Sequence, residues 1–317
     1  MDDRSKPSVL IAGSANADFV VRAARIPAAG ETVLGGDLAI FPGGKGANQA
    51  VAAARAGGVA TRMIAALGDD DPARLIAASL AGAGVELDVR RSSRSTGAAL
   101  ITVSDAGENA ITVAPGANMD LGPEDLPDLD GISWLVMQLE TPLDTVSAFA
   151  RAARDHGTKV LLNAAPARAL PADLLAAVDL LVVNEDELGL LVGTEGSVAE
   201  RLARTGVGIT VVTLGGRGAC ARVGQDYVFQ PAFAVTPVDT TAAGDTFCGV
   251  LVAGLAEGLD VPAALERAAA AGALATSKAG AQSSIPSRAE LDAFIAGAHQ
   301  HGQDALAAYC SLAAAAN

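Results

Sequence analysis

The stretch DTTAAGDTFCG, residues 239–249, sets Asp245 directly behind Gly244 and ahead of an apolar run. Two chemistries fit it. Aspartate in the first turn of a helix meets the positive end of the dipole, and Ala-Ala-Gly is then only a tight turn. In the alternative, the N–H groups of Ala242, Ala243 and Gly244 converge on an oxyanion with one carboxylate beside it. A second stretch, FPGGKGANQA at 41–50, surrounds Lys45 with Gly43, Gly44 and Gly46. It is not a Walker A loop, since Gly46 follows the lysine, and a Gly-x-Gly-x-x-Gly fingerprint fails at Gln49. Its glycines still allow a ligand close to the backbone; a helix-start turn with a solvated lysine is the other reading. GSANAD at 13–18 adds Asn16 and Asp18. With Asn48 and Lys45 they make two amides, a carboxylate and an ammonium, the alternating partners that adjacent hydroxyls of a polyol need. Turn residues after a strand would look the same.

Two further stretches suit a nucleotide. VVNEDEL, 182–188, places Asn184 and Glu187 three apart as a helix begins, on one face. Carboxylates there can order water around Mg²⁺ on a triphosphate, or simply form an acidic first turn. TLGGRGA, 213–219, is a strand and a Gly-rich bend open to backbone approach, or the start of a hairpin into CARVGQDYVF.

The elements that must position these residues are short apolar runs, at 8–13, 61–68, 133–140, 159–166, 179–185 and 209–216. Ala-rich helix candidates at 47–57, 72–83, 143–157 and 197–206 lie between them. That alternation predicts βαβ units and a mainly parallel sheet covered by helices on both faces. Gly13, Glu140, Asn163, Asn184, Thr213 and Asp239 each fall at or beyond the C-terminal end of a predicted strand, where open α/β sheets bind ligands. Segments 17–41 and 95–115 alternate instead, the second as a hairpin through DAGE. They predict a small antiparallel sheet projecting as a lid.

Composition narrows the classes. The chain has 317 residues, half of them hydrophobic and only 3% aromatic, so Ala, Val, Leu and Ile must form the core of one large domain. A net charge of −14 argues against nucleic acid or an anionic membrane surface as partner. Cys220, Cys248 and Cys310 lack metal or CxxC spacing and suit reduced thiols in a cytosol. His156, His299 and His301 offer no catalytic pairing. The N-terminal apolar run is too short for a signal peptide, and the longest apolar stretch, closed by Glu257, is too short to span a bilayer. A soluble cytoplasmic protein is expected.

GSANAD, GGKGANQA, MQLETP, LNAAPA, VNEDE, VTLGGRG and VDTTAAGDTF stand in an order and spacing that resembles the ribokinase, or PfkB, family of sugar kinases over about residues 8–290. The resemblance implies a kinase domain at 8–296 with a β-sheet lid that often mediates homodimers, and a tail at 297–317, helical or disordered, with no family counterpart. It implies a sugar site of Asn16, Asp18, Gly44, Lys45, Asn48 and Glu140, with D-ribose as substrate. Asp245 would be the base, and Ala242, Ala243 and Gly244 the anion hole. Asn184 and the run Thr213, Leu214, Gly215, Gly216, Arg217 and Gly218 would face ATP. Glu187 would position Mg²⁺ through water. Ala269 would lie near the adenine, where some relatives carry a larger polar side chain. A K⁺ ion would be held by Asp239, Thr241, Ala275, Lys278, Gly280 and Ser284, mostly through backbone oxygens. Kinases of the same fold for deoxyribose, fructose, tagatose or adenosine form the alternative, and a catalytically silent sugar-binding regulator a third reading. Asn16 with Asp18 favours vicinal hydroxyls, hence ribose over deoxyribose.

Overall fold

Uninterrupted runs of Val, Leu and Ile fold as strands buried on both faces, because helices can then cover each side of the sheet. The computed structural model describes residues 9–298 and 302–311. Along the chain come β1 (Val9–Ala12), β2 (Asn16–Ala23), β3 (Ala39–Gly43), α1 (Lys45–Ala52), β4 (Thr61–Leu67), α2 (Asp71–Gly82), β5 (Val85–Arg91), β6 (Gly97–Ser104) and β7 (Asn109–Ala114). They are followed by β8 (Trp134–Met137), α3 (Leu143–His156), β9 (Lys159–Asn163), α4 (Ala172–Ala176), β10 (Leu180–Asn184), α5 (Glu185–Val192), α6 (Val198–Arg204), β11 (Ile209–Thr213), β12 (Gly218–Val223) and β13 (Asp226–Pro231). The last helices are α7 (Ala243–Ala256), α8 (Val261–Thr276), α9 (Arg288–Gly297) and α10 (Gln303–Ser311).

Nine strands form the main sheet in the order β13-β12-β11-β10-β9-β8-β1-β4-β5. From β11 to β5 all pairings are parallel, and β12 and β13 close the edge as an antiparallel hairpin. Alternate residues feed two cores. Val9, Ile11, Met63, Leu161, Val182 and Val211 pack with residues of α1, α2, α7 and α8, while Leu10, Ile64, Leu135, Leu162, Val183 and Val212 pack with residues of α3 to α6. The sheet therefore lies between two helical layers, as the continuous apolar runs require. Among the described residues, no helix is long and apolar enough to cross a membrane.

The second sheet, β3-β2-β6-β7, is the expected lid with one correction. Its outer pairs are antiparallel, but β2 and β6 run parallel, so the lid is mixed. Asp239 is also corrected. It does not end a strand, because β13 stops at Pro231 and Asp239 lies in the connection to α7. The tail forms α10, with Leu306 and Cys310 buried. Ser8, His299, His301 and the tail positions 299–301 and 312–317 lie outside the described residues.

One seam holds the two layers of motif residues together. Helix α1 runs on into a π turn at Ala53–Gly57 and meets α7 nearly backbone to backbone. A Cβ on Gly249 would lie 2.5 Å from the Gln49 carbonyl and 2.6 Å from Ala52 Cβ, and one on Gly57 would lie 2.2 Å from Ala253 Cβ. Nothing larger than glycine fits at either place.

Candidate active site

The first residues after β1 and the first residues of α1 fold against each other. Gly44 has φ 91°, a conformation glycine adopts without penalty, and a Cβ there would lie 2.7 Å from the Asn16 backbone nitrogen. One on Gly46 would lie 2.7 Å from the Gly13 carbonyl carbon. The glycines thus let Lys45 and Asn48 approach the segment carrying Asn16 and Asp18. Asn118 locks Asn16 in place, its Nδ2 donating to Asn16 Oδ1 at 2.7 Å while its Oδ1 accepts from the Ala15 N–H at 3.0 Å. Ser14 Oγ donates to Glu140 Oε2 at 2.5 Å, and that oxygen also accepts from the Lys45 N–H at 3.4 Å.

Three carboxylates crowd this corner. Burial, then Glu140, then Asp245 push the Asp18 carboxyl up from 3.8 to about 7. The Lys45 ammonium answers them, held above its ordinary value by Asp245 and further by Glu140 and Glu187, although burial works the other way. The arrangement stores electrostatic cost in exchange for ready acceptors, as functional sites do.

Asp245 is buried at the first turn of α7 and is held by two amides from α1. Asn48 Nδ2 donates to its Oδ2 and Gln49 Nε2 to its Oδ1, each at 3.0 Å. Gln49 is fixed in turn, with Nε2 also 3.2 Å from Asn163 Oδ1 and Oε1 accepting from Gln138 Nε2 at 2.6 Å. Asn48 Oδ1 is a buried acceptor with no protein partner, which a ligand hydroxyl would satisfy. The turn before α7 is strained. Ala242, with φ 59°, is the non-glycine residue in the left-handed region among the described residues, at a cost of about 1–2 kcal/mol. The Ala243 N–H donates to the Thr240 carbonyl at 3.3 Å. Gly244 and Asp245 follow in the first turn, where N–H groups have no carbonyl four residues back in the helix.

Two cavities meet over this turn. The smaller, about 220 Å³, is lined by Lys45, Asn163, Asn184, Glu187, Ala242, Gly244, Asp245 and Cys248 among others. The larger, about 520 Å³, is mostly apolar and runs between Gly215, Gly216 and Gly218 on one side and Phe233, Phe247, Ala269 and Gly272 on the other. Thr213, Thr240 and Gly244 border both. Leu214 is buried beneath the bend, its N–H donating to the Gly218 carbonyl at 2.8 Å, while Arg217 is exposed and lines neither cavity.

Asn184 and Glu187 form a reciprocal cap at the start of α5. Each donates a backbone N–H to the other's side chain at 2.8 Å, which engages Glu187 Oε2. Burial raises the Glu187 carboxyl above its ordinary value, with the Asn184 N–H and Lys45 partly offsetting it.

Asp239 ties two loops. Its Oδ1 accepts from the Thr241 N–H and its Oδ2 from the Gly280 N–H, both at 2.9 Å. Burial opposes its charge, but these donors outweigh burial and hold the carboxyl below its ordinary value. Val238 and Asp239 donate backbone N–H groups to the Thr276 carbonyl. The Lys278 ammonium is committed to Glu290 at 2.8 Å, so only its carbonyl can face a cation. Ser284 is buried, with Oγ donating to the Ala281 carbonyl at 2.8 Å, and Ala275 is buried.

Of the expected residues, Lys45, Asn184, Glu187, Thr213, Gly215, Gly216, Gly218, Ala242, Ala243, Gly244, Asp245 and Ala269 line this pair of cavities, whereas Asn16 and Glu140 line a third, of about 690 Å³, and Asp18, Asn48 and Asp239 line none of the three. The structure also adds Ser14, Gln49, Asn118 and Gln138. Of these, Gln138 carried a signal: it is an amide directly behind the apolar run of β8 and is buried, and a buried amide needs partners.

The pattern of the pfkB family carbohydrate kinases matches residues 6–288. A ribokinase from Haemophilus influenzae is 36% identical over 304 residues, covering 92% of this chain and 99% of that protein. A deoxyribokinase from Salmonella typhi is 34% identical, covering 90% of this chain and 98% of that one. The solved structure of Arabidopsis thaliana ribokinase complexed with ribose and ATP superposes with a TM-score of 0.84 at 33% identity, covering 91% of this chain and 98% of its own.

Proposed function

Because the chain belongs to the pfkB family of carbohydrate kinases, we propose that it is an ATP-dependent ribokinase that phosphorylates the 5-hydroxyl of D-ribose. The observation that carries this reading is Asp245. It lines the smaller cavity beside Gly244, which borders both, and is held by Asn48 and Gln49 in the first turn of α7.

Ribose is read by Asn16, Asp18, Lys45, Asn48 and Glu140, with Gly44 giving the backbone room. Asn48 Oδ1 and the buried Asp18 oxygens accept from hydroxyls, and the Lys45 ammonium donates. Asp245 takes the proton of the 5-hydroxyl as its oxygen bonds to the γ-phosphorus and the bond to ADP breaks. Ala242, Ala243 and Gly244 form the anion hole, its amides aimed at the charge that develops on the transferring group. ATP lies in the larger cavity against the bend from Thr213 to Gly218, with Ala269 on the adenine side and Asn184 near the phosphates.

Mg²⁺ supplies charge neutralisation on the triphosphate. Glu187 fits that partner through water, since it borders the smaller cavity with one oxygen engaged. A K⁺ ion fits beside the hole, between the loops of Thr241 and of Ala275, Lys278, Gly280 and Ser284. Asp239 spends both carboxylate oxygens on tying those loops together, so backbone oxygens would hold the ion. The lid leaves Leu38, Ile40, Leu100, Ile111 and Val113 exposed, which supports a homodimer through it. Residues 8–296 are read as the kinase domain, in the cytoplasm, with no nucleic-acid or membrane partner.

ADP release measured with ribose, deoxyribose, fructose, tagatose and adenosine, in potassium and in sodium-only buffer, tests the reading. Ribose is expected to give the highest kcat/KM, with potassium raising it. A better alternative substrate would replace ribose, no turnover with any would leave the silent regulator, and equal rates in the two buffers would remove K⁺.

A further inference from the structure

The bend Gly215-Gly216-Arg217-Gly218 has one long side chain, and that side chain is held by the C-terminal helix. The Arg217 guanidinium stacks over the Tyr309 ring at 4.3 Å from its centroid. The Tyr309 hydroxyl donates to Glu185 Oε1 at 2.6 Å, and Glu185 Oε2 pairs with Arg217 Nη1 at 3.5 Å, closing a triangle. Glu185 directly follows Asn184, which borders the smaller cavity. Helix α10 is itself anchored, with Leu306 and Cys310 buried in the core layer that also contains Cys220 of β12. Leu306, Tyr309 and Cys310 lie beyond the stretch that matches the family, 6–288.

The far end of the bend is pinned, since the Leu214 N–H donates to the Gly218 carbonyl and a Cβ on Gly218 would fall 2.1 Å from the Gln230 carbonyl oxygen, but Gly215 and Gly216 bring no packing of their own. Gly215 and Gly218 are left-handed at φ 57° and 116°, and a Cβ at Gly215 or Gly216 would touch nothing within 4 Å. Fixing Arg217 therefore steadies the unpacked Gly215–Gly216 part of the bend. We infer that Tyr309 is a positioning residue that pre-shapes the nucleotide bend by clamping Arg217 against Glu185. The inference rests on reading the larger cavity as the nucleotide site. A bend ordered in advance loses less freedom on binding, so the clamp acts on nucleotide affinity and leaves sugar affinity alone.

The test compares full-length wild type with Tyr309→Ala, Tyr309→Phe, Arg217→Ala and the Arg217/Tyr309 double alanine variant. ADP affinity is measured by calorimetry, together with KM for ATP and for ribose. Loss of a stacked cation and one charged hydrogen bond predicts roughly a fivefold loss in ADP affinity and a matching rise in KM for ATP in Tyr309→Ala. KM for ribose and kcat are expected to stay at wild-type values. Tyr309→Phe, which keeps the stack, recovers most of the loss, and the double variant is no worse than the worse single one. Wild-type ADP affinity in Tyr309→Ala would overturn the clamp alone. So would equal losses for both substrates with a lowered Tm, which mark a merely structural tail. Wild type that binds no ADP would overturn the nucleotide-site reading and the clamp with it.

Discussion

The glycines around Lys45 are packed shut, whereas Gly215 and Gly216, just before Arg217, border open space, and only Gly218 behind it is packed, against Gln230 of β13. A Cβ on Gly43 would fall 2.2 Å from Asp18 Oδ2, and one on Gly97 would fall 2.2 Å from Asn16 Oδ1. At Gly215, Gly216 and Gly244 it would meet nothing within 4 Å. Similar Gly-rich strings therefore serve opposite ends. On the proposed sugar side they let charged and amide side chains crowd into one corner, where selectivity would come from those side chains. On the proposed nucleotide side they leave a backbone wall with room beside it, where selectivity would come from shape.

The largest effect is expected where the two sides meet. Asp245→Asn keeps the shape and one acceptor oxygen but removes the base, so kcat should fall by roughly 10³, with ADP affinity and Tm near wild type. Wild-type turnover would show Asp245 to be only a helix-start residue and dissolve the meeting point.

A paired substitution addresses the glycines directly. Gly43→Ala forces Asp18 aside, so kcat/KM for ribose should drop by about 10² and Tm should fall, while KM for ATP holds. Gly216→Val has space to exist without disturbing the fold, yet it fills the nucleotide wall; KM for ATP should rise about tenfold with Tm unchanged. If both variants lose stability alike, the contrast between the two sides is broken.

The smallest effect concerns what the crowded corner costs. Asp18 has its carboxyl raised from 3.8 to about 7 in the folded protein, so folding favours the protonated form. Stability is then unpenalised below about pH 4 and declines as pH rises through 7. Asp18→Asn cannot ionise. Its Tm should exceed that of wild type by about 5 °C at pH 8, and the gap should close near pH 4. Parallel Tm profiles would mean that burial of Asp18 carries no such cost.

Much of the frame was legible because its physics is local. Continuous apolar runs marked β1, β4, β8, β9, β10 and β11, and Ala-rich stretches marked α1, α2, α3 and α6, although α8 was not singled out. β5 escaped, since VELDVRR mixes charged residues into an edge strand. The parallel pairing of β2 with β6 escaped as well, because alternation within a strand carries no information on the direction of a distant partner. Asp239 was read as a strand end from the apolar residues before it, although Pro237 leaves that segment without the donor a ladder needs. At the site, spacing exposed Asp18, Lys45 and Asp245. It could not expose Gln49, whose partner Asp245 lies far along the chain, or the Tyr309–Arg217 stack, which exists only after α10 docks.

The seam between α1 and α7 has a consequence for how closely the reacting groups are spaced. A separation set by long side chains varies as rotamers exchange, whereas one set by main chain against main chain does not. Because Gly249 lets α7 rest on the Gln49 carbonyl, the seam works as a gauge block between the helix that presents the ammonium and the helix that presents the base. The same tightness makes the seam brittle to sequence drift: one added methyl at Gly249 would shift the base as surely as a change at the base itself.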